Sequence, residues 1–176
     1  MMTIDALWTG WRSQYLSSLP NPFEGSHSSG SSIFTQILES GLTDEETYIV
    51  HRGEYVFAIL NAYPYAVGHL MVLPMRQIAN LADLTPHESS ELWSTVTAAH
   101  EVLKNEYNPH GLNVGINLGP AAGGSVSEHL HVHIVPRWRG DANFMTSVAN
   151  AKTISEPLNE TADRLRRAWT KYGSSS

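Results

Sequence analysis

The chain of 176 residues contains no cysteine, which excludes disulfide bonds, cysteine nucleophiles and thiolate ligands for a metal. It also lacks any apolar run near the ~20 residues that a membrane-spanning helix requires. Its first residues mix Asp5 and Arg12 with apolar side chains and do not show a signal-peptide pattern. We therefore expect a cytoplasmic protein that does not enter a membrane.

Positive charge is also scarce. The 11 Lys and Arg residues stand against 17 Asp and Glu residues, which gives a formal net charge of −6. Binding to nucleic acid polymers depends on the neutralisation of many phosphates, so this balance argues against that class of partner. A small phosphorylated ligand is not excluded, because a local site can be positive in an acidic protein.

What the chain does have is a regular alternation of histidine with aliphatic residues, His129-Leu130-His131-Val132-His133-Ile134. A period of two predicts a strand with the three histidines on one face and the aliphatic side chains on the other. Pro136 cannot donate to a ladder and should end the strand near that point. Side chains on one face of a strand lie roughly 6.6 Å apart, so three imidazoles could together span a phosphoryl group and its leaving oxygen.

Three interpretations of these histidines compete. A core filled with three imidazoles would need a polar partner for each, which makes a purely structural role costly. A tightly held zinc ion is the stronger rival, since imidazole is a common zinc ligand. However, the chain offers no cysteine, and Glu128 should point away from the histidine face. Catalysis is the favoured interpretation, without a tightly bound metal or cofactor.

The rest of the chain predicts a single α+β domain with a mainly antiparallel sheet of about five strands. Short strand patterns follow one another with one long helical pattern among them, so neighbouring strands should pair antiparallel. The long helix should begin at Thr85, which opens a capping-box pattern with Pro86 and Glu88, and end before Pro109. A second helix is predicted near the C-terminus. The strands are predicted at 48–51, 55–60, 69–74, 112–118 and 129–135.

Three segments are expected along the chain. Residues 1–44 should hold an amphipathic helix at 4–16, a flexible Ser/Gly-rich loop and a short helix from Ser31 to near Gly41. Residues 45–140 should form the core domain. Residues 141–176 should form a C-terminal extension with a helix, as part of the same domain.

The connection before the histidine strand contains Gly123-Gly124-Ser125. Glycines let a backbone approach a ligand closely and expose N–H donors suited to phosphate oxygens, and the serine hydroxyl adds another donor. Together with three imidazoles, this loop favours nucleotidyl transfer through a covalent histidine. A neutral imidazole is a competent nucleophile near neutral pH, and flanking imidazoles can supply a proton to the departing oxygen.

At these residues the chain resembles the histidine triad (HIT) family, whose motif is His-φ-His-φ-His-φ-φ with φ apolar; the segment 129–135 matches it completely. The resemblance implies a HIT-like fold, with His131 as the nucleophile, His133 as a phosphate and leaving-group contact, and His129 and His69 in a supporting network. It further implies a homodimer with the long helix near the interface. Nucleotide or phosphate contacts implied by the resemblance come from Phe57, Ile59, Asn61 and Asn117.

Within the family, the flanks of the motif look most like the diadenosine tetraphosphate phosphorylases of the actinobacterial type. This implies that inorganic phosphate resolves an AMP–histidine intermediate to give ADP and ATP, with Gly124, Ser125 and Trp138 near the phosphate. A divalent cation could accompany the polyphosphate. Many relatives carry a Cys-x-x-Cys pair that helps to bind zinc, whereas this chain has Ser32-Ile33-Phe34-Thr35 there, so an inherited zinc site is not expected.

Other outcomes of the same chemistry stay open at this point. Water in place of phosphate would make the protein a dinucleoside polyphosphate hydrolase. Cleavage of AMP-linked amines would make it an adenosine phosphoramidase, as in another branch of the family. A protein that kept the pocket without turnover would be a nucleotide-binding adaptor, which is a different functional class.

Overall fold

The computed structural model describes residues 30–122, 126–141 and 156–173. All of these residues except Gly30 belong to one compact unit, which spans 31–141 and 154–176. A second unit, 1–30 and 142–153, lies outside the described residues apart from Gly30. The predicted helix at 4–16 and most of the Ser/Gly-rich loop fall there, and the three-segment division of the chain stays a prediction. The elements are α1 (Ile33–Glu39), α2 (Asp44–Thr47), β1 (Ile49–Arg52), β2 (Val56–Leu60), β3 (Leu70–Pro74), α3 (Pro86–Tyr107), β4 (Gly111–Ile116), β5 (Val132–Arg137) and α4 (Leu158–Tyr172), with 3-10 turns at Leu81–Asp83 and Pro120–Ala122.

The five strands form one antiparallel sheet in the order β1-β2-β3-β5-β4. The first three strands follow each other through short connections. The long helix α3 then separates β3 from β4, and β5 returns between them. This arrangement confirms the predicted α+β fold, and it makes β5, the strand of the histidine motif, an interior strand.

Strands β2 and β3 are buried on both faces, whereas the edge strand β4 is half-buried or exposed. One face packs against α3 and α4 through the aliphatic side chains of alternate strand positions, among them Leu130, Val132 and Ile134. The other face carries a smaller cluster that includes Phe57, Ile59 and Met71, together with Phe34 of α1. The predicted division of the motif into an aliphatic face and a histidine face is therefore seen in the packing.

The long helix begins as the capping-box pattern predicts. The Thr85 hydroxyl accepts from the Glu88 N–H at 3.2 Å, and a Glu88 carboxylate oxygen accepts from the Thr85 N–H at 2.8 Å. Glu88 also accepts two hydrogen bonds from the guanidinium of Arg76, which lies two residues past the end of β3. The helix ends at Asn108 in the left-handed conformation, one residue before Pro109.

Several boundaries differ from the predictions. The motif strand starts at Val132 rather than at residue 129, so His129 and His131 precede the regular ladder. β4 covers Gly111–Ile116 instead of 112–118. The short helix α2 was not predicted; its capping box starts at Thr43, and it ends at Tyr48 in the left-handed conformation. No helix among the described residues has the length and apolar character that a membrane crossing needs.

The charge of Glu88 should contribute to stability in a pH-dependent way. Hydrogen bonds from Arg76, and then from Thr85, lower the pKa of the Glu88 carboxyl to about 2, although burial acts in the opposite direction. A carboxyl whose pKa is depressed by folding stabilises the protein above its unfolded pKa, and this contribution is lost as the pH falls toward the folded pKa. We expect Glu88→Gln to lower the free energy of unfolding at pH 7 by about 2 kcal/mol.

Urea unfolding from pH 7 to pH 2.5 measures this effect. The difference between wild type and Glu88→Gln should be largest above pH 5 and should shrink between about pH 4.5 and pH 2.5. The matched control is Glu46→Gln, which alters the exposed capping box of α2 and should have a smaller effect. A difference for Glu88→Gln that does not change with pH would contradict the role assigned to the charge.

Candidate active site

Four histidines meet on the sheet face opposite α3. His69 comes directly before β3, His133 lies in β5 opposite Met71 of β3, and His129 and His131 lie in the segment that leads into β5. The ring centroids of His131 and His133 are 4.8 Å apart, and those of His69 and His133 are 5.1 Å apart. The structure therefore brings together all four histidines that the sequence analysis singled out.

The hydrogen bond of His131 determines which of its ring nitrogens can react. Its Nδ1 lies 2.8 Å from the carbonyl oxygen of His129. A carbonyl oxygen only accepts, so Nδ1 must carry the proton. In the neutral ring the lone pair is then on Nε2, which is the form that a nucleophilic imidazole requires.

A second chain of hydrogen bonds determines the proton position of His133. The backbone N–H of Tyr65 donates to Nδ1 of His69 at 3.0 Å, so the proton of neutral His69 is on Nε2. This Nε2 lies 3.0 Å from Nδ1 of His133 and donates to it. The proton of a neutral His133 is therefore on Nε2, where it can form a hydrogen bond to an oxygen of a ligand.

The turn that positions His69 contains a glycine, Gly68, directly before the histidine. Gly68 is buried and has φ of +75°, a conformation that favours glycine. A Cβ built there would lie 3.1 Å from the Leu103 side chain and 3.5 Å from that of Pro136. A larger residue at this position would move the turn that positions His69.

Both ring nitrogens of His129 are held by hydrogen bonds. Its Nε2–H donates to the Pro74 carbonyl at 2.8 Å, so its Nδ1 accepts from the Ser32 hydroxyl at 2.7 Å. Burial lowers the pKa of His129 below its ordinary value, more than the Pro74 carbonyl raises it. The ring should therefore stay neutral at physiological pH, which suits both hydrogen bonds.

An apolar wall adjoins the histidines on the same face. Ile59 pairs with Met71, which pairs with His133, so these three side chains form a row across the sheet. Phe57 lies two residues before Ile59 on the same strand, and both are buried. The Phe34 ring lies 5.5 Å from that of His129 and 5.7 Å from that of His131. Phe57 and Ile59 are thus part of a buried apolar cluster beside the histidines, and their role as nucleotide contacts stays a prediction.

Two further residues that the resemblance implied as nucleotide or phosphate contacts are Asn61 and Asn117. Asn61 is buried, its amide nitrogen is 3.4 Å from Nδ1 of His69, and its Oδ1 accepts from the Tyr63 N–H. Asn117 follows β4 one residue past Ile116, which pairs with Val132, so continuation of the register would place it beside His131.

The phosphate contacts that the resemblance implied are not all near the triad. Trp138 follows β5 at the end away from His131, roughly 16 Å along the strand from His133. Gly124 and Ser125 lie outside the described residues. The assignments of these three residues stay predictions.

The sequence analysis missed several residues that hold the site. Ser32, Phe34 and Tyr65 contact histidines of the site, and Gln77 accepts a hydrogen bond from the Ser32 N–H. Ser32 begins a helix three residues before Thr35, a spacing typical of a hydroxyl cap, and this was the available signal. Nothing in the sequence indicated that the same hydroxyl reaches His129, which lies 97 residues away.

The residues at the position of the Cys-x-x-Cys pair do not fit a zinc ion. Ser32 and Thr35 offer neutral hydroxyls, which bind to His129 and Gln77, and both ring nitrogens of His129 are already in hydrogen bonds. Zinc sites in proteins use Cys, His or carboxylate ligands. Over the described ranges, no group of three or more such side chains could hold a metal ion.

The chain is similar to known proteins over most of its length. The HIT domain profile matches residues 43–140. The AP-4-A phosphorylase of Mycobacterium tuberculosis is 47% identical over 169 residues, which cover 96% of this chain and 86% of that protein. The bis(5'-adenosyl)-triphosphatase of Saccharomyces cerevisiae is 38% identical over 92 residues, which cover 52% of this chain and 44% of that protein.

A solved structure agrees in fold. The zinc-bound histidine triad family protein of Mycobacterium smegmatis has a TM-score of 0.66 and 24% sequence identity over 83% of this chain and 98% of that one. The family profile spans more than half of the chain and contains the complete motif, whose three histidines lie together with His69. The chain therefore belongs to the histidine triad (HIT) family.

Proposed function

We propose that the protein catalyses the phosphorolysis of diadenosine tetraphosphate to ADP and ATP through an AMP–His131 intermediate. The observation that carries this proposal is the hydrogen bond of the His131 Nδ1 to the His129 carbonyl, which leaves the nucleophilic lone pair on Nε2. The relative named AP-4-A phosphorylase, which is similar along almost the whole chain, supports the choice of substrate and acceptor.

In the first step, Nε2 of His131 attacks the α-phosphorus of the dinucleotide. A P–N bond forms, the P–O bond to the rest of the molecule breaks, and ATP is the leaving group. His133 donates a hydrogen bond from its Nε2–H to an oxygen of the departing group, which leaves as an anion, so His133 keeps its proton through both steps. The adenylylated imidazole carries a positive charge, and the His129 carbonyl stabilises it through a hydrogen bond that is then charge-assisted.

In the second step, an oxygen of inorganic phosphate attacks the same phosphorus. The P–N bond breaks, ADP is released and the lone pair returns to His131. The overall balance is diadenosine tetraphosphate plus phosphate to ADP plus ATP. Gly124 and Ser125 are the residues that we propose for phosphate, because glycine amides and a hydroxyl are suitable donors to its oxygens.

Hydrolysis is the second candidate. The relative named bis(5'-adenosyl)-triphosphatase is 38% identical over 92 residues. In this alternative, water resolves the same AMP–His131 intermediate, and the products are AMP and ATP. The first step is identical, so the histidine cluster supports both reactions equally.

We also propose that the protein is a homodimer. β4 has a neighbouring strand on one side only within the described sheet, which leaves a backbone edge for pairing. Val114 of β4 is 47% exposed and Trp93 of α3 is 46% exposed, whereas Leu92 is fully buried in the core. A second copy that extends the sheet at β4 would cover such side chains. A cytoplasmic location stays a prediction from the lack of cysteine.

Replacement of the nucleophile should abolish turnover. We expect His131→Ala to lower the rate of diadenosine tetraphosphate cleavage by at least on the order of a thousandfold, because no other group forms the P–N bond. Intact-protein mass measurement after a phosphate-free reaction and an alkaline quench should find one adenylyl group on wild type and none on the variant. The matched control is His100→Ala on the surface of α3, which should retain wild-type behaviour. An adenylyl group on His131→Ala would contradict the assignment.

The acceptor is decided by separating the nucleotides formed with and without inorganic phosphate. Phosphorolysis predicts ADP and ATP, formed only when phosphate is present. We expect Ser125→Ala to raise the KM for phosphate about tenfold, as the loss of one hydrogen bond to a charged group would. Ser127→Ala, an exposed hydroxyl in the same connection, is the matched control. Formation of AMP and ATP in both reactions would instead establish the hydrolase.

The dimer is tested by sedimentation equilibrium. Val114→Lys on β4 and Trp93→Ala on α3 should each shift the protein from dimer toward monomer, because they place a charge on, or remove apolar area from, the proposed interface. Leu81→Ala changes an exposed apolar side chain elsewhere and should leave the dimer intact. A monomeric wild type would refute the proposal.

A further inference from the structure

We propose that Ser32 is a positioning residue for the nucleophile, acting through His129 to hold His131 in its reactive tautomer. The inference rests on the proposed function, since it takes His131 as the group that is adenylylated. It assigns a role to α1, a helix outside the residues 43–140 that match the family profile.

The backbone that orients His131 lies outside the regular ladder. β5 begins at Val132, whose partner in β3 is Val72, so the carbonyl of His129 is three residues before the first ladder pair. Near it, the Leu130 N–H donates to the Ile78 carbonyl at 2.6 Å. This bond holds one side of the peptide group that carries the His129 carbonyl. Residue 129 is held in addition by its side chain, which is bound at both ring nitrogens.

One of those two bonds comes from Ser32, and the direction of that bond follows from its neighbours. The Ser32 Oγ accepts from the Thr35 N–H at 3.1 Å, as the cap of α1. The Thr35 hydroxyl donates to Oε1 of Gln77 at 3.0 Å. The Ser32 proton is then directed to Nδ1 of His129, which must accept because the His129 Nε2–H is given to the Pro74 carbonyl.

Ser32 is itself fixed in place. Its side chain is fully buried, and its backbone N–H donates to Oε1 of Gln77 at 2.6 Å. The sequence of contacts is therefore continuous, from α1 through the Ser32 hydroxyl to the His129 ring, and from the His129 carbonyl to Nδ1 of His131. Loss of the hydroxyl would leave the His129 ring anchored on one side only, so the carbonyl that holds the His131 proton could shift.

The test removes the hydroxyl in two ways. Ser32→Ala and Ser32→Gly both remove the hydroxyl that caps α1 and donates to His129. Glycine is the better tolerated of the two at a helix start, so an effect of equal size in both variants reports the lost donor and not the lost cap. Thr43→Ala is the matched control, because it removes the hydroxyl cap of α2 without touching a histidine. Urea unfolding verifies that each variant is folded.

Two measurements are made on each protein. The ¹⁵N shifts of the histidine ring nitrogens in the free protein report the tautomer of His131. Single-turnover adenylylation by diadenosine tetraphosphate reports the rate of the first step. We expect both Ser32 variants to show a mixture of His131 tautomers and an adenylylation rate lower by about tenfold, because small displacements of a reacting group are costly. The KM should change by less than about twofold, and Thr43→Ala should match wild type in both measurements.

The outcomes separate this inference from the proposed function. Wild-type ring shifts and a wild-type rate in both Ser32 variants would overturn the role of Ser32 and leave the proposed function intact. A rate loss of similar size in Thr43→Ala would also overturn it, since the effect would then be one of general stability. Absence of adenylylation in the wild type would refute the proposed function instead, and the ring shifts would still test whether Ser32 controls the His131 tautomer.

Discussion

The hydrogen bond between Nδ1 of His131 and the carbonyl of His129 is the interaction on which the rest of the site depends. The two residues are only two positions apart in the chain. The bond nevertheless requires residues 129–131 to leave the regular strand geometry that the alternating pattern predicts. In a regular strand both carbonyls and N–H groups point sideways to neighbouring strands. The departure of residues 129–131 from the ladder is therefore what makes the carbonyl accessible to the His131 ring.

The sheet supplies the complementary part of the site. The β3–β5 register places Met71 opposite His133, and the turn at Gly68 then brings His69 within 3.0 Å of the His133 ring. A shift of one residue in this register would move His133 to the face covered by α3. The large aliphatic cluster beneath α3 opposes such a shift, because it would bury polar imidazole and expose Val132 and Ile134. Packing on the α3 face of the sheet therefore keeps the histidines in place on the opposite face.

Sequence patterns predicted the elements that depend on local rules. The period of two identified the two faces of the motif, and Thr85 with Glu88 identified the start of α3. Predictions were poorer where distant residues decide the structure. The motif strand was extended to His129 because the alternation continues, but the bonds of His129 go to Pro74 and Ser32, which are 55 and 97 residues away. No local rule reports such partners, and for the same reason the role of Ser32 was not foreseen.

The chemistry of the first step does not decide between phosphate and water. Both acceptors would approach the same phosphorus of the same intermediate, and the four histidines have no feature that distinguishes them. Selectivity must come from donors that bind phosphate but have no use for water, because a site rejects or accepts a polar ligand through the hydrogen bonds it offers. The Gly-Gly-Ser connection, which precedes the triad and follows Asn117, has that composition. We infer that in this protein the histidines determine that a nucleotidyl group is transferred, and that the Gly-Gly-Ser loop before them determines whether phosphate or water accepts it.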